Sequence, residues 1–199
     1  MRTFASLLFA SVLLLLAGAC AQQPAQPAAA AQPAAPQFQT VATIKDIMDS
    51  MVEPNGDFVF DSVETIIDAK GEHNKMPRTD DEWKAVRRAA VSVMEATNSL
   101  RVPGRHVAQA GEKADDPKVE LGPEQIQALI DGDRASFNGF AKGLHDAMNE
   151  ALNAVNAKDA AKLFEVADGI DKACEDCHLK YWYPNEKKAI AEEQAKQPK

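Results

Sequence analysis

From Thr40 onward the apolar residues recur at intervals of three and four, the spacing of one helix face, and no run alternates as a half-buried strand would. Four helical segments follow. The first carries Val41, Ile44, Ile47, Met48 and Met51 on one face. Pro54-Asn55-Gly56 should interrupt or kink it, because proline lacks a backbone donor and glycine loosens the chain, and it resumes through Val59, Val63, Ile66 and Ile67. Thr79-x-x-Glu82 is a capping box and opens the second segment, with Trp83, Val86, Ala90, Val93 and Met94 inward and an end near Leu100. A polar connection follows, with Pro103, Gly104, Gly111 and Pro117. Gly122-Pro123 then starts a third helix bearing Ile126, Leu129, Ile130, Phe137, Phe140, Leu144, Met148, Leu152 and Val155. Some thirty residues at helical rise make a rod of about 45 Å.

A break at 156–159 implies an antiparallel return. The fourth helix repeats apolar positions at Ala160, Leu163, Ala167, Ile170, Cys174, Cys177 and Tyr181, a sustained 3-4-3-4 stripe that faces a bundle interior. Four helices with one apolar stripe each bury those stripes most simply as an all-α, antiparallel four-helix bundle. The folded part is expected over residues 39–184, with 185–199 a charged tail.

The first forty residues have a different character. Met1–Ala19 has one positive charge, Arg2, an apolar run from Leu7 to Leu16 and then Ala17-Gly18-Ala19. That is the pattern of an export signal, too short to span a bilayer as a helix. Cleavage after Ala19 would leave Cys20 first. The residues up to Cys20 also resemble the lipobox of bacterial lipoproteins, in which that cysteine is diacylated. Residues 20–38 are then an uncharged Pro/Ala/Gln tract that cannot bury a core, and a lipid followed by such a spacer is a tether. The expected location is the periplasm, with Cys20 the only membrane attachment.

Thirty acidic residues stand against 22 basic ones, and removal of Arg2 with the signal moves the formal charge from -8 to -9. This balance disfavours nucleic acid and suits basic protein partners. Cysteine usage narrows the chemistry further. With Cys20 at the processing site, only Cys174 and Cys177 remain for the folded part.

Cys174-Glu175-Asp176-Cys177-His178 is the attachment sequence of haem c. The thiols add across the two haem vinyl groups, so they must lie one helical turn apart on one face, and the histidine that follows offers an imidazole to the iron. The alternatives are weaker. A disulfide needs no His178 and closes awkwardly on a helix. A thioredoxin-like pair belongs beside a βαβ pattern, and a zinc site needs a fourth ligand that no second cysteine pair supplies. The bundle is therefore expected to enclose one covalently attached haem, held by Cys174 and Cys177 and ligated by His178.

The late position of this motif, on a fourth helix, resembles the class II c-type cytochromes, the group containing cytochrome c′, over residues 40–184. Ile47-Met48, Pro54, Trp83-Lys84-Ala85-Val86-Arg87, Pro103-Gly104-Arg105 and Tyr181-Trp182-Tyr183-Pro184 resemble a proteobacterial branch of that family. The resemblance implies a homodimer formed through the first two helices. It also implies that Met48 stands where low-spin members carry the sixth iron ligand. Met51, His145 on the third helix, or an open position are the alternatives, while His73 and His106 fall in loops. Phe58, Phe60, Phe137, Phe140 and Tyr181 could line the pocket, and Arg87, Arg88 or Arg105 could pair with a propionate.

With both axial positions filled the expected function is one-electron transfer with periplasmic redox proteins, and not enzymatic catalysis. With an open sixth position, as in cytochrome c′, it is binding of nitric oxide or another small gas. The tether is testable alone: mature protein should partition with detergent, and Cys20→Ala should release it to the soluble fraction, since two acyl chains suffice for stable anchoring. Equal solubility of both forms would identify Ala17-x-Ala19 as the processing site.

Overall fold

The computed structural model describes residues 38–186. The export signal, Cys20 with most of its spacer, and the tail from 187 lie outside them. The described chain is mostly helical, with six α-helical segments, one π turn and a two-stranded sheet.

The first segment starts later than its pattern suggests. Thr43 caps α1 (Ile44–Ile47) through a box with Asp46, and Val41 lies outside it, 83% exposed. A π turn, Met48–Val52, follows directly and leads into α2 (Glu53–Phe60). Here the expected break is corrected. The helix runs through Pro54-Asn55-Gly56 because the Glu53 amide bonds back to the Met48 carbonyl, five residues away. Pro54 thereby falls in the first turn of α2, where a missing N–H costs little. Asn55 Nδ2 ties the junction further by donating to the Met51 carbonyl at 2.9 Å.

Beyond Phe60 the helical reading fails. Ile66 and Ile67 lie in β1 (Glu64–Asp68), which pairs antiparallel with β2 (Gly71–Lys75), Ile66 opposite His73. Thr65-Ile66-Ile67 is a β-branched run, which favours extended backbone. The reversal is closed by Asp68 Oδ1, which accepts from the Lys70 amide at 2.7 Å, and by Gly71 at φ 106°, a left-handed conformation suited to glycine.

The second segment is α3 (Asp80–Leu100), with the capping box formed: the Glu82 amide donates to Thr79 Oγ1 at 3.3 Å, and Glu82 Oε2 accepts from the Thr79 amide at 2.8 Å. Trp83, Val86, Ala90 and Val93 are buried. The third segment is not one rod. It divides into α4 (Pro123–Gly132) and α5 (Arg134–Ala157) at Asp133, whose side chain accepts from the Ser136 amide at 3.1 Å and so caps a new helix. Glycine followed by a capping residue outweighs the continuous apolar period there.

Lys158, left-handed at φ 54°, ends α5, and Asp159 caps α6 (Ala160–Tyr181). α6 packs on α5, α5 on α3, and the first segment on α3 and α6. Of the predicted α6 stripe, Leu163, Ala167, Ile170 and Tyr181 are buried, and Ala160, Cys174 and Cys177 half-buried. The two contributions to stability separate by size. Thr79→Ala removes one cap and should cost about 1 kcal/mol. Leu163→Ala opens a cavity at a fully buried site and should cost roughly 2–5 kcal/mol. Urea unfolding should show both as midpoint shifts at constant slope.

Candidate cofactor site

The last two turns of α6 present Cys174, Cys177 and His178 toward the first segment and α5. The intervals of three and four place the sulfurs on one face and carry the imidazole to the adjoining position. Cys174 and His178 line a cavity of about 550 Å³, within the range that cofactor sites occupy. Cys177 lines a smaller apolar cavity that shares Met48, Leu144, Cys174, His178 and Trp182 with the larger one. Both cysteines are free thiols.

Burial decides their protonation. It pushes Cys174 up to about 11, with help from Asp171, Asp57 and Glu175. It pushes Cys177 up to about 12, with Cys174 adding to the effect. Burial lowers His178, against the opposing pull of Glu175, Glu53 and Glu120, so the ring tends toward the neutral form that coordinates metals. Such a donor set can form two covalent bonds through sulfur and one coordinate bond through nitrogen. Among the described residues no group of three or more His, Cys, Asp and Glu side chains is arranged to hold a bare metal ion.

Helix geometry sorts the remaining candidates. Met48 lines both cavities, whereas Met51 is half-buried beside the core and lines neither. His145 Nδ1 lies 3.1 Å from Thr97 Oγ1 and 3.4 Å from the Met94 carbonyl, a satisfied histidine between α5 and α3. His73 is exposed in β2 and not in a loop as expected, and His106 is exposed in a connection.

Phe137 and Phe140 wall the small cavity and meet Tyr181 edge-on at 5.6 and 6.0 Å, while Phe60 sits at the large one and Phe58 at neither. Tyr181 is fully buried and lines neither cavity.

The arginines are engaged elsewhere or lie away from the cavities. Arg105 is buried and donates to the Ser99 carbonyl at 2.9 Å and to the Ala42 carbonyl, joining α3 to the start of α1. Arg87 donates to Asn156 Oδ1 at 3.1 Å, and Arg88 is exposed on α3 and lines neither cavity. The cation on the large cavity is Lys45, which no periodicity marked. It is paired with Asp115 and faces six further carboxylates: Asp49, Glu53, Asp57, Glu120, Asp171 and Glu175.

Trp182 and Tyr183 were also missed as site residues, because they follow the helix and obey no period. The structure brings them back because the His178 carbonyl accepts from both the Trp182 amide (2.8 Å) and the Tyr183 amide (3.0 Å), folding the chain over the imidazole. No protein-family model matches the chain, and no curated protein or solved structure matches it either.

The raised thiols yield a direct test on protein whose two cysteines are unmodified. At pH 8, Cys174 and Cys177 should alkylate far more slowly than a free cysteine, since the thiolate is the nucleophile, with the rate climbing as pH approaches 11–12. The linkage has a definite sign. A thiol whose folded pKa exceeds its ordinary 9.0 adds stability that is intact below pH 9 and is lost as pH rises toward 12. Alkylation at the rate of an unfolded control at pH 8 would contradict this burial.

Proposed function

We propose that the chain is an exported c-type cytochrome of the class II kind, a four-helix bundle that encloses one haem and carries single electrons. One observation carries the reading: the two half-buried thiols, the half-buried imidazole and the Met48 thioether share a single pair of adjoining cavities large enough for a cofactor. The donor set fits the group. Cys174 and Cys177 would hold it covalently, His178 would bind its iron, and Met48, which lines both cavities, would supply a further ligand. Haem supplies a one-electron couple whose iron changes charge without a substrate having to bind.

The remaining residues have roles that need no chemistry of their own. Leu100, Phe137, Phe140 and Leu144 make the smaller cavity apolar, and an apolar wall beside the cofactor needs little rearrangement when the charge changes. Met48 stands at the π turn, and its position on both cavities supports it over Met51 as the distal ligand. His145, with its Thr97 contact, is the poorer candidate. The carboxylates around the large cavity support a basic redox partner, drawn by a negative surface at the cofactor edge. Location in the periplasm, tethered through Cys20 or free, rests on the sequence of the first twenty residues, and a homodimer rests on the family resemblance.

A visible spectrum of purified protein, oxidised and reduced, with and without carbon monoxide, tests the reading. The native protein should be low-spin in both states and bind carbon monoxide slowly. Met48→Ala should become high-spin and ligand-accessible, and Met51→Ala should leave the spectrum nearly unchanged. Cys174→Ala or Cys177→Ala should abolish the doubly linked haem. A high-spin native spectrum with rapid carbon monoxide binding would replace the carrier with the gas-binding protein.

A further inference from the structure

The chain past α6 does more than end a helix. Tyr183 returns against His178, ring centroids 5.7 Å apart and nearly perpendicular at 68°. Its hydroxyl donates to Glu175 Oε2 at 2.8 Å, bridging eight residues back across the attachment motif. Glu175 stands one helical turn before His178 on the same cavity, and among the described residues it takes part in no ion pair. The Trp182 ring also lies beside the imidazole, 6.0 Å away and tilted by 49°.

Each contact has a physical consequence. An imidazole alone can rotate about its Cβ–Cγ bond, and the edge of Tyr183 restricts that rotation. A carboxylate free to swing would place its charge anywhere around the turn, and the phenolic hydrogen bond fixes it. Burial, together with Glu175, pushes the Tyr183 hydroxyl above its ordinary range, so it remains a donor at neutral pH. Partners behind a metal-bound histidine orient the ring and tune the metal.

We propose that Tyr183 and Glu175 are positioning residues that form a clamp beside His178, the phenol fixing the plane of the ring and the carboxylate holding a negative charge that favours the ferric state. The proposal rests on the haem reading above. Glu175 acts through charge and Tyr183 acts through Glu175 and the ring, so the two are coupled and neither touches a reacting substrate.

The test compares midpoint potentials and ferric electron paramagnetic resonance spectra of haem-bearing wild type, Glu175→Gln, Tyr183→Phe and the double variant. Glu175→Gln should raise the potential. Tyr183→Phe should lower it, because the charge is no longer shared with a donor, and should broaden the resonance because the aromatic ring, no longer tied to Glu175 by its hydroxyl, restrains the imidazole less. In the Glu175→Gln background, Tyr183→Phe should add no further shift of potential. Asp176→Asn serves as the charge control, since Asp176 is exposed and paired with Lys172, and it should move the potential much less than Glu175→Gln. If Glu175→Gln does not accumulate, Glu175→Asp withdraws the carboxylate from the phenol and should give the broadened resonance of Tyr183→Phe. Haem-bearing variants with unchanged potential and resonance, or an equal shift from Asp176→Asn, would overturn the clamp alone. Wild-type protein without covalent haem would overturn the haem reading and the clamp together.

Discussion

Burial of the α6 stripe is the constraint on which the rest depends. Leu163, Ala167, Ile170 and Tyr181 leave water together, and a rigid helix cannot bury them without turning Cys174 and Cys177 the same way. The orientation of the site is therefore a by-product of ordinary hydrophobic packing, at about 25 cal/mol for each Å² of apolar surface removed. Tyr181 anchors the lower end: its ring meets Phe137 and Phe140 edge-on, and its hydroxyl lies 3.4 Å from the Asp133 carbonyl, the junction of α4 and α5. Lys180, one residue earlier, bonds the Asp133 side chain at 3.1 Å. The break in the third segment is thus tied directly to the end of α6.

The opposite wall solves a harder problem. A helix containing Pro54 must give up an amide donor, and the π turn absorbs that loss one residue ahead of it. The same widening carries Met48 and Val52, and beyond them Glu53 and Gly56, along the large cavity. A local defect in hydrogen bonding and the shape of the site are in this sense one feature. Wide helical turns of this kind recur at functional positions because they redirect side chains without ending the helix.

Charge around the cavity follows a different logic from the apolar interior. Seven carboxylates and Lys45 surround the large cavity, whereas the smaller one is lined by aliphatic and aromatic side chains with the thiols and His178. Sharing five residues, the two cavities bring a dry wall and a charged one to the same imidazole. Burial and the carboxylates act on His178 in opposite directions, and burial prevails.

How much of this was legible along the chain follows from the range of each interaction. The α6 stripe, the Thr79 box and the Asp159 turn are local, written in spacing and capping chemistry, and α3 and α6 emerged with nearly their true limits. The stretch from Cys174 to His178 is equally local, its residues being contiguous, and Cys174 and His178 line the large cavity while Cys177 lines the adjoining one. Ile66 and Ile67 misled because a β-branched pair continues a helical period while preferring extended backbone, and only pairing with His73 and Glu72 makes the strand. Lys45, Trp182 and Tyr183 obey no period: Lys45 is placed by its long-range pair with Asp115, Trp182 by the Leu121 amide on its carbonyl at 2.8 Å, and Tyr183 by the turn onto the His178 carbonyl that ends α6. The sequence by itself determined which donors exist and on which helical face they lie, because helix geometry is local. Tertiary structure alone decided what they face, because a cavity belongs to several elements at once and no one of them encodes it.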